Sequence, residues 1–235
     1  MSKARSTLYP NGVSNASPNT FEGLANLRMP DQTKYHTFFD DFNTYLASDW
    51  TVTETGSATQ ALTDAEGGAL LVTNAAADNN VSAQQLVAEG FSYEAAKELW
   101  FKAKLQVNDA TESDLILGLW IKTATAPIAT PPTDGIFFRK DDGDTNIDFV
   151  LAKDSTETES SAIGTLADAT DIELAFHYDG AGTFKAYIDD VLVATQTTLT
   201  NVPDDELLTV GFAIQNGAAA AKTLTLDYIL ACKER

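Results

Sequence analysis

The chain has 235 residues, of which 44% are hydrophobic, and its formal net charge is −19. This hydrophobic fraction is typical of a folded protein and excludes a disordered one; no apolar run approaches the ~20 residues that cross a bilayer, so no membrane partner is predicted. The acidic charge repels phosphate backbones and argues against nucleic-acid binding by the bulk of the chain.

The first predicted element is an extended N-terminal arm, residues 1–36. Its Pro and Asn-Gly punctuation allows neither a helix nor a strand to persist, and it lacks the apolar stretch of a secretory signal. Large apolar residues recur through it nevertheless, and such residues are rarer in disordered tails. We expect the arm to lie on its own body, on a neighbouring subunit or on a larger surface. The anchors predicted for that contact are Leu8, Tyr9, Leu24, Leu27, Met29 and Tyr35.

The second predicted unit is an all-β body, residues 37–235. Residues 99–107 alternate between apolar and polar side chains, and a period of two indicates a strand with one buried face. The same alternation predicts strands at 171–178, 183–189, 207–215 and 223–230. More continuous apolar stretches predict central strands at 114–121 and 136–139, with a further strand at 146–152.

Two expectations concern the C-terminal predicted strand, residues 223–230. Leu224, Leu226, Tyr228 and Leu230 are predicted to share its buried face. Cys232, the only cysteine, leaves no partner for an internal disulfide, and we expect it to be buried in or beside this strand.

Turn-forming residues separate the strands and set the fold class. Asp179-Gly-Ala-Gly and Asp189-Asp190 predict two tight connections, and hence a three-strand meander from 171 to about 197. Residues 126–132, rich in Pro, predict a stiff surface loop, and residues 93–98 are the only helix-like segment. Many short strands with polar turns favour two packed antiparallel sheets in a jelly-roll sandwich.

Three stretches of the C-terminal half resemble the concanavalin A-like (LamG-like) jelly-roll sandwiches. They are Phe176-His-Tyr-Asp-Gly with Ala186-Tyr-Ile-Asp-Asp, Val210-Gly-Phe-Ala-Ile-Gln-Asn-Gly, and Leu226-Asp-Tyr-Ile. The resemblance concerns the fold and does not by itself fix a function.

Three N-terminal stretches resemble a narrower group, the capsid-decorating, head-associated structural proteins of tailed bacteriophages. They are Ser6-Thr-Leu-Tyr-Pro-Asn-Gly, Pro30-Asp-Gln-Thr-Lys-Tyr-His-Thr-Phe-Phe-Asp-Asp-Phe and Ser48-Asp-Trp-Thr-Val-Thr-Glu-Thr. This resemblance implies a virion protein on the capsid exterior that binds the major capsid protein and forms a homo-oligomer, with a trimer as the suggested size. We predict no enzymatic activity and no cofactor, because the residues contain no catalytic motif.

Catalytic chemistry finds little support in the residues. Asp171 and Glu173 share a strand face, as a glycosidase pair requires, but the third acid of glycanases with this fold is missing. His36 and His177 are the only histidines, and neither follows a nucleophile motif. A degenerate glycanase is therefore the weakest of three hypotheses.

The alternative to a decoration protein is a carbohydrate-binding, lectin-like module whose partner would be a host glycan. Trp50, Trp100 and Trp120 are its candidate platform residues, although aromatic side chains more often pack in cores and interfaces. The acidic loop 141–148 offers oxygen ligands of the kind calcium prefers, but Asp also suits turns, and both explanations stay open.

Overall fold

Two antiparallel β-sheets, packed face to face, make up the computed structural model, which describes residues 32–235. The strands are β1 (Tyr35–Asp40), β2 (Trp50–Thr55), β3 (Ala58–Thr63), β4 (Ala69–Asn74), β5 (Val81–Leu86), β6 (Leu99–Val107), β7 (Ser113–Trp120), β8 (Gly135–Lys140), β9 (Asn146–Lys153), β10 (Thr156–Thr165), β11 (Ile172–Tyr178), β12 (Phe184–Ile188), β13 (Val191–Gln196), β14 (Thr209–Asn216) and β15 (Thr223–Glu234). A short 3-10 helix, Ala47–Asp49, precedes β2. No helix of residues 32–235 is long and apolar enough to cross a membrane.

The strand order defines the two sheets. The eight-stranded sheet runs β13-β12-β11-β6-β15-β4-β3, with β1 also paired to β15, and the seven-stranded sheet runs β10-β9-β8-β7-β14-β5-β2. The predicted all-β sandwich is confirmed.

The first strand joins the N-terminal side of the described chain to the last strand. β1 begins at Tyr35, two residues before the predicted start of the body, and it pairs antiparallel with the second half of β15. The Arg235 amide extends the pairing by donating to the Lys34 carbonyl at 2.7 Å. Of the predicted arm anchors only Tyr35 is described; the others, Leu8, Tyr9, Leu24, Leu27 and Met29, lie outside the described residues.

Several predicted elements are found where the sequence placed them. The strand at 99–107 is β6, with each odd-numbered residue buried. Asp189 and Asp190 have φ values of +49° and +62°, as the mirror-image type I′ hairpin turn requires. The prediction of helix-like structure at residues 93–98 was wrong. The segment forms a single turn, in which the Lys97 amide donates to the Glu94 carbonyl at 3.0 Å. A helix of one turn is not stable, because its nucleus costs more than one hydrogen bond returns.

The last strand departs from its predicted pattern because of a β-bulge. The register with β6 shifts between Leu226 and Tyr228, and one extra residue moves every later side chain to the opposite face. Leu224 and Leu226 are buried as predicted, but Tyr228 and Leu230 are only partly buried. The buried face continues instead through Ile229 and Ala231, while Cys232 is also buried, which confirms that expectation.

The main core lies between the sheets and is rich in aromatic rings. Phe149, Phe176 and Phe184 pack against one another with ring centroids 5.6–6.2 Å apart. Every residue of β7 and β14 is buried, although a strand in a two-sheet sandwich needs only one buried face. The second face of these strands is covered by a different part of the chain.

Candidate interaction surfaces

The outer face of the seven-stranded sheet carries a second apolar layer. A strap, residues 121–134, crosses this face between β7 and β8 and places the side chain of Ile128 on it. The apolar side chains in this layer are Ala83, Ile116, Trp120, Phe137, Val150, Ala152 and Ala213. The Pro-rich loop was expected to be a surface loop, but Pro127 and Pro132 are buried, so it is a cover for the sheet.

Trp120, the last residue of β7, is the largest side chain of the covered layer and is 0% exposed. Two glycines leave room for its side chain: a Cβ at Gly211 would lie 2.5 Å from the indole ring, and one at Gly135 would lie 2.7 Å from its Cβ. Its Nε1 is buried with no hydrogen-bond partner among the described residues. Trp120 therefore packs as a core side chain and offers no exposed ring to a ligand.

Polar contacts hold the strap at its two ends. The Ile121 amide donates to the Asp134 carbonyl at 2.9 Å. The Gln85 side chain donates to the Ile121 carbonyl at 3.1 Å and accepts from the Thr123 amide at 3.0 Å. Between these ends Pro127 and Pro132 are buried and Ile128 packs on the apolar layer.

The outer face of the eight-stranded sheet has no such cover in the described part of the chain. Trp100 lies half-buried on it and stacks on His177, with ring centroids 5.0 Å apart and planes 6° from parallel. Tyr35 of β1 meets the same indole edge-on at 5.7 Å. Further across the face, Phe39 is 58% exposed and Leu192 is 49% exposed. Neither residue was singled out from the sequence, because their exposure follows from strand order.

Ion pairs cross the middle of this open face. Lys102 lies 2.5 Å from Glu173 and 2.8 Å from Asp190, while Lys104 lies 2.8 Å from Asp227. Burial works to lower the pKa of Lys102, but the hydrogen bonds to Asp190 and Glu173 outweigh it and raise that pKa. The Asp227 hydrogen bond raises the pKa of Lys104, and Lys102 lowers the pKa of Asp190.

The predicted carboxylate pair lies in a depression at the edge of this face. Asp171 and Glu173 line it together with Lys104, Ile172, Asp189 and Asp190, around a volume of about 240 Å³. Asp171 pairs with Lys104 at 3.3 Å, and Glu173 pairs with Lys102 and accepts a hydrogen bond from Tyr228. Both acids are therefore occupied by lysine ammonium groups, whereas the carboxyl groups of a glycosidase pair must face the scissile bond.

Two carboxylates of the acidic loop 141–148 accept hydrogen bonds from backbone amides in different places. Asp144 accepts from the Asn146 amide at 2.7 Å and Asp148 from the Ala162 amide at 2.7 Å. No group of three or more His, Cys, Asp or Glu side chains within residues 32–235 is arranged to hold a metal ion. The Asp144 contact is the turn bond that the sequence-based alternative proposed, whereas Asp148 holds the bulge of β10.

Of the remaining sequence candidates, Trp50 and Cys232 are buried and His36 is partly buried. Trp50 is 5% exposed and meets Phe212 at 5.2 Å in the main core. His36 of β1 packs on the Phe91 ring at 4.8 Å; burial lowers its pKa, and nearby Arg235 and Lys233 lower it further. Cys232 is 6% exposed, and burial raises the pKa of its thiol, which makes it a poor nucleophile.

No family model matches the sequence, and no curated protein sequence matches it either. Solved structures do resemble it. A protein of unknown function from Shewanella oneidensis MR-1 has a TM-score of 0.62 at 17% identity, over 93% of this chain and 94% of the other. An endo-1,3-β-glucanase from Streptomyces sioyaensis has a TM-score of 0.61 at 12% identity, over 88% and 99%. Peanut lectin has a TM-score of 0.57 at 10% identity, over 86% and 98%.

These likenesses identify the fold as a concanavalin A-like, legume-lectin-like jelly roll, as the C-terminal stretches predicted. The neighbours include both an enzyme and a lectin, so at such low identity the shared architecture does not determine an activity.

Proposed function

We propose that this chain is a non-enzymatic structural protein of a phage virion that decorates the capsid exterior, with the major capsid protein as its partner. The observation that carries the proposal is the pairing of β1. The strand that follows the arm is paired along its whole length with β15, so a force that holds the arm also holds the sandwich. The resemblance of the N-terminal stretches to head-associated phage proteins supports the same function.

The mechanism is the addition of interface area between subunits of the shell. The anchors Leu8, Tyr9, Leu24, Leu27, Met29 and Tyr35 would contact the capsid or a neighbouring subunit. Each large apolar side chain buried there would contribute about 1.5–3 kcal/mol before ordering costs. Many copies on one shell multiply the effect by avidity, more so if the protein is a homo-oligomer such as a trimer. Tyr35 already contacts Trp100 within the body, so the first five anchors form the stronger test.

A capsid-binding assay tests the proposal. Capsids that lack this protein are mixed with the full-length chain or with a full-length variant carrying Leu24→Ser, Leu27→Ser and Met29→Ser. Since 1.4 kcal/mol corresponds to a factor of ten, the triple variant should bind at least about a hundredfold more weakly. The matched control carries serine at Phe39, Leu192 and Val191, which are exposed apolar residues of the body. Equal binding by the wild type and the arm variant would reject docking through the arm.

The absence of catalysis is part of the proposal and has its own test. The pairing of Asp171 with Lys104 and of Glu173 with Lys102 supports it. Incubation with β-1,3- and β-1,4-glucans should release no reducing ends. Turnover that disappears in a Glu173→Gln variant would establish a glycanase instead.

A carbohydrate-binding module is the second candidate, and the Trp100 ring is the observation that favours it. The indole is half-buried on an uncovered face and is held in place by His177 and Tyr35, and sugars stack on aromatic rings that are held in this way. Screening a glycan panel with the wild type and a Trp100→Ala variant separates the two functions. Saturable binding that the substitution abolishes would favour the lectin-like function.

A further inference from the structure

One side of the sandwich ends in two regular edge strands. β2 closes the seven-stranded sheet and β3 closes the eight-stranded sheet. They are joined by residues 56–57, and the Gln60 side chain on β3 bridges to Glu54 on β2 at 3.0 Å. Neither strand has a register shift against its single neighbour. The free side of each strand therefore presents a straight row of backbone donors and acceptors.

The opposite side of the sandwich is protected from strand addition. Its edge strands, β10 and β13, contact each other, and both are irregular. β10 bulges between Ser160 and Gly164, with Ala162 at a φ of +51°. β13 has one unpaired residue, Val193, between Leu192 and Ala194. Bulges of this kind are a usual means of preventing strand addition at an edge, and β2 and β3 lack them.

The β2/β3 edge also exposes apolar side chains that are directed between the sheets. Val52 is 37% exposed and Leu62 is 47% exposed, although their cross-strand partners, Gln84 and Leu70, are fully buried. The Nε2 of Gln84 is buried without a hydrogen-bond partner among the described residues. The seam between β2 and β3 is therefore incompletely filled by residues 32–235.

The charge around this edge selects the occupant. Asp49, Glu54, Asp64 and Glu66 lie on or close to β2 and β3 in the sequence, and residues 35–96 contain no Lys or Arg. Two such edges would repel each other, which disfavours pairing with the same edge of a second copy. Residues 1–21 have the opposite character, with Lys3 and Arg5 and no acidic residue.

We propose that residues 3–9 of this chain add to the free side of β3 as an extra strand. This segment, Lys-Ala-Arg-Ser-Thr-Leu-Tyr, ends before Pro10 and contains neither Gly nor Pro. Its seven residues are enough to pair with all six residues of β3. Alternation places Ala4, Ser6 and Leu8 on one side, toward the apolar seam, and Lys3 and Arg5 on the other.

The length of the intervening chain permits this contact within one molecule. Residues 10–31 can span up to about 73 Å when extended. The described chain begins next to Glu234, near the end of β15, because Tyr35 pairs with that residue. Leu62 lies two strands away from Leu226, which is eight residues earlier on β15. At usual strand spacings the distance from Glu234 to Leu62 is roughly 28 Å. A linked segment also has an effective concentration on the order of mM, which favours pairing within the chain.

The inference rests on the proposed function only in treating the arm as a contact element. It moves Leu8 and Tyr9 from the shell contact proposed above to the body, and it leaves Leu24, Leu27 and Met29 for the shell. The experiment below contains no capsid. Its failure would therefore leave the capsid-binding assay unaffected, and a negative capsid assay would not decide the position of residues 3–9.

Disulfide trapping in the full-length chain tests the contact. Leu8→Cys is combined with Leu62→Cys on β3 or, as the matched control, with Val191→Cys on β13. The control position is 62% exposed, which is more than the 47% of Leu62, so accessibility alone would favour the control. A disulfide needs Cα atoms within about 7 Å. We expect the Leu8–Leu62 pair to form an intrachain bond at least about tenfold faster than the control pair.

Charge supplies an independent variant that leaves the sandwich unchanged. Lys3→Glu with Arg5→Glu should slow the Leu8–Leu62 crosslink severalfold, and added salt should slow the crosslink of the parent in the same direction. Equal rates for the Leu62 and Val191 pairs would overturn the proposal. It would also be overturned by a Leu62 crosslink that joins two chains, because the occupant would then be a second copy.

Discussion

The two outer faces of the sandwich follow the same strand alternation and have opposite fates. On the seven-stranded sheet a group of outward side chains around Trp120 is apolar, and the strap packs on this group as a second core layer. On the eight-stranded sheet the outward positions carry Trp100, Lys102 and Lys104 on β6, and no described segment covers them. The comparison shows that the strand arrangement alone does not determine which face is open to a binding partner. The side chains determine it, because an apolar face that the chain itself covers cannot contact a partner.

Removing Trp120 should show most strongly that the covered face is part of the core. Trp120→Ala leaves a cavity between the sheet and the strap and should lower the free energy of unfolding by about 3–5 kcal/mol. Trp100→Ala on the open face should cost only about 1–2 kcal/mol, since solvent can fill the space. Urea denaturation of both variants measures the difference. Equal losses would remove the distinction between the faces.

The strap itself gives the next effect. Ile128→Ser removes the apolar side chain that packs on the covered layer and should destabilise the protein by about 1–2 kcal/mol. Ala129→Ser, at an exposed neighbouring position, is the matched control. The emission of Trp120 should shift to longer wavelength only in the Ile128 variant. An unchanged emission spectrum would mean that the strap is held by its polar ends alone.

The smallest effect is expected from the ion pairs of the open face. Lys102→Met should cost about 0.5–1 kcal/mol at neutral pH, because exposed pairs contribute little. The pKa of Lys102 is raised in the folded state, so its contribution is complete below the unfolded value of 10.5 and is lost as pH rises through the folded pKa.

The difference in unfolding free energy between the wild type and Lys102→Met should therefore disappear at strongly alkaline pH, and it should shrink in high salt. Lys185→Met is the control, because Lys185 lies on the same face and makes no ion pair in the described part of the chain. A difference that persists at alkaline pH would show that the lysine stem acts by packing and not by charge.

Much of the fold could be predicted because local alternation and turn chemistry act over a few residues. β6 and the Asp189-Asp190 turn are the clearest cases. The bulge near Asp227 could not be predicted, since it depends on how β15 fits between β6 and its other neighbours. β5 was missed because Gln84 and Gln85 are polar residues that are buried by tertiary contacts, which no periodicity reveals.

The candidate surfaces were less predictable than the fold. Residues 126–132 have the composition of an exposed loop, and their position over Trp120 follows only from contacts between distant segments. The exposure of Val52 and Leu62 likewise depends on β2 and β3 being at the ends of their sheets. The position of Trp100 opposite the buried face of its strand follows from the alternation in residues 99–107 alone.

The pairing of β1 with β15 makes the resistance of the protein to force depend on direction. Backbone hydrogen bonds of an antiparallel pair lie perpendicular to the strands. A pull along β1 would load the pairs between Tyr35–Asp40 and β15 all at once, whereas a sideways pull would open them one at a time from Tyr35. If the arm is fixed to a shell, the β1–β15 pairing would therefore resist a force parallel to β1 strongly. It would yield at a lower force to a pull perpendicular to the strands.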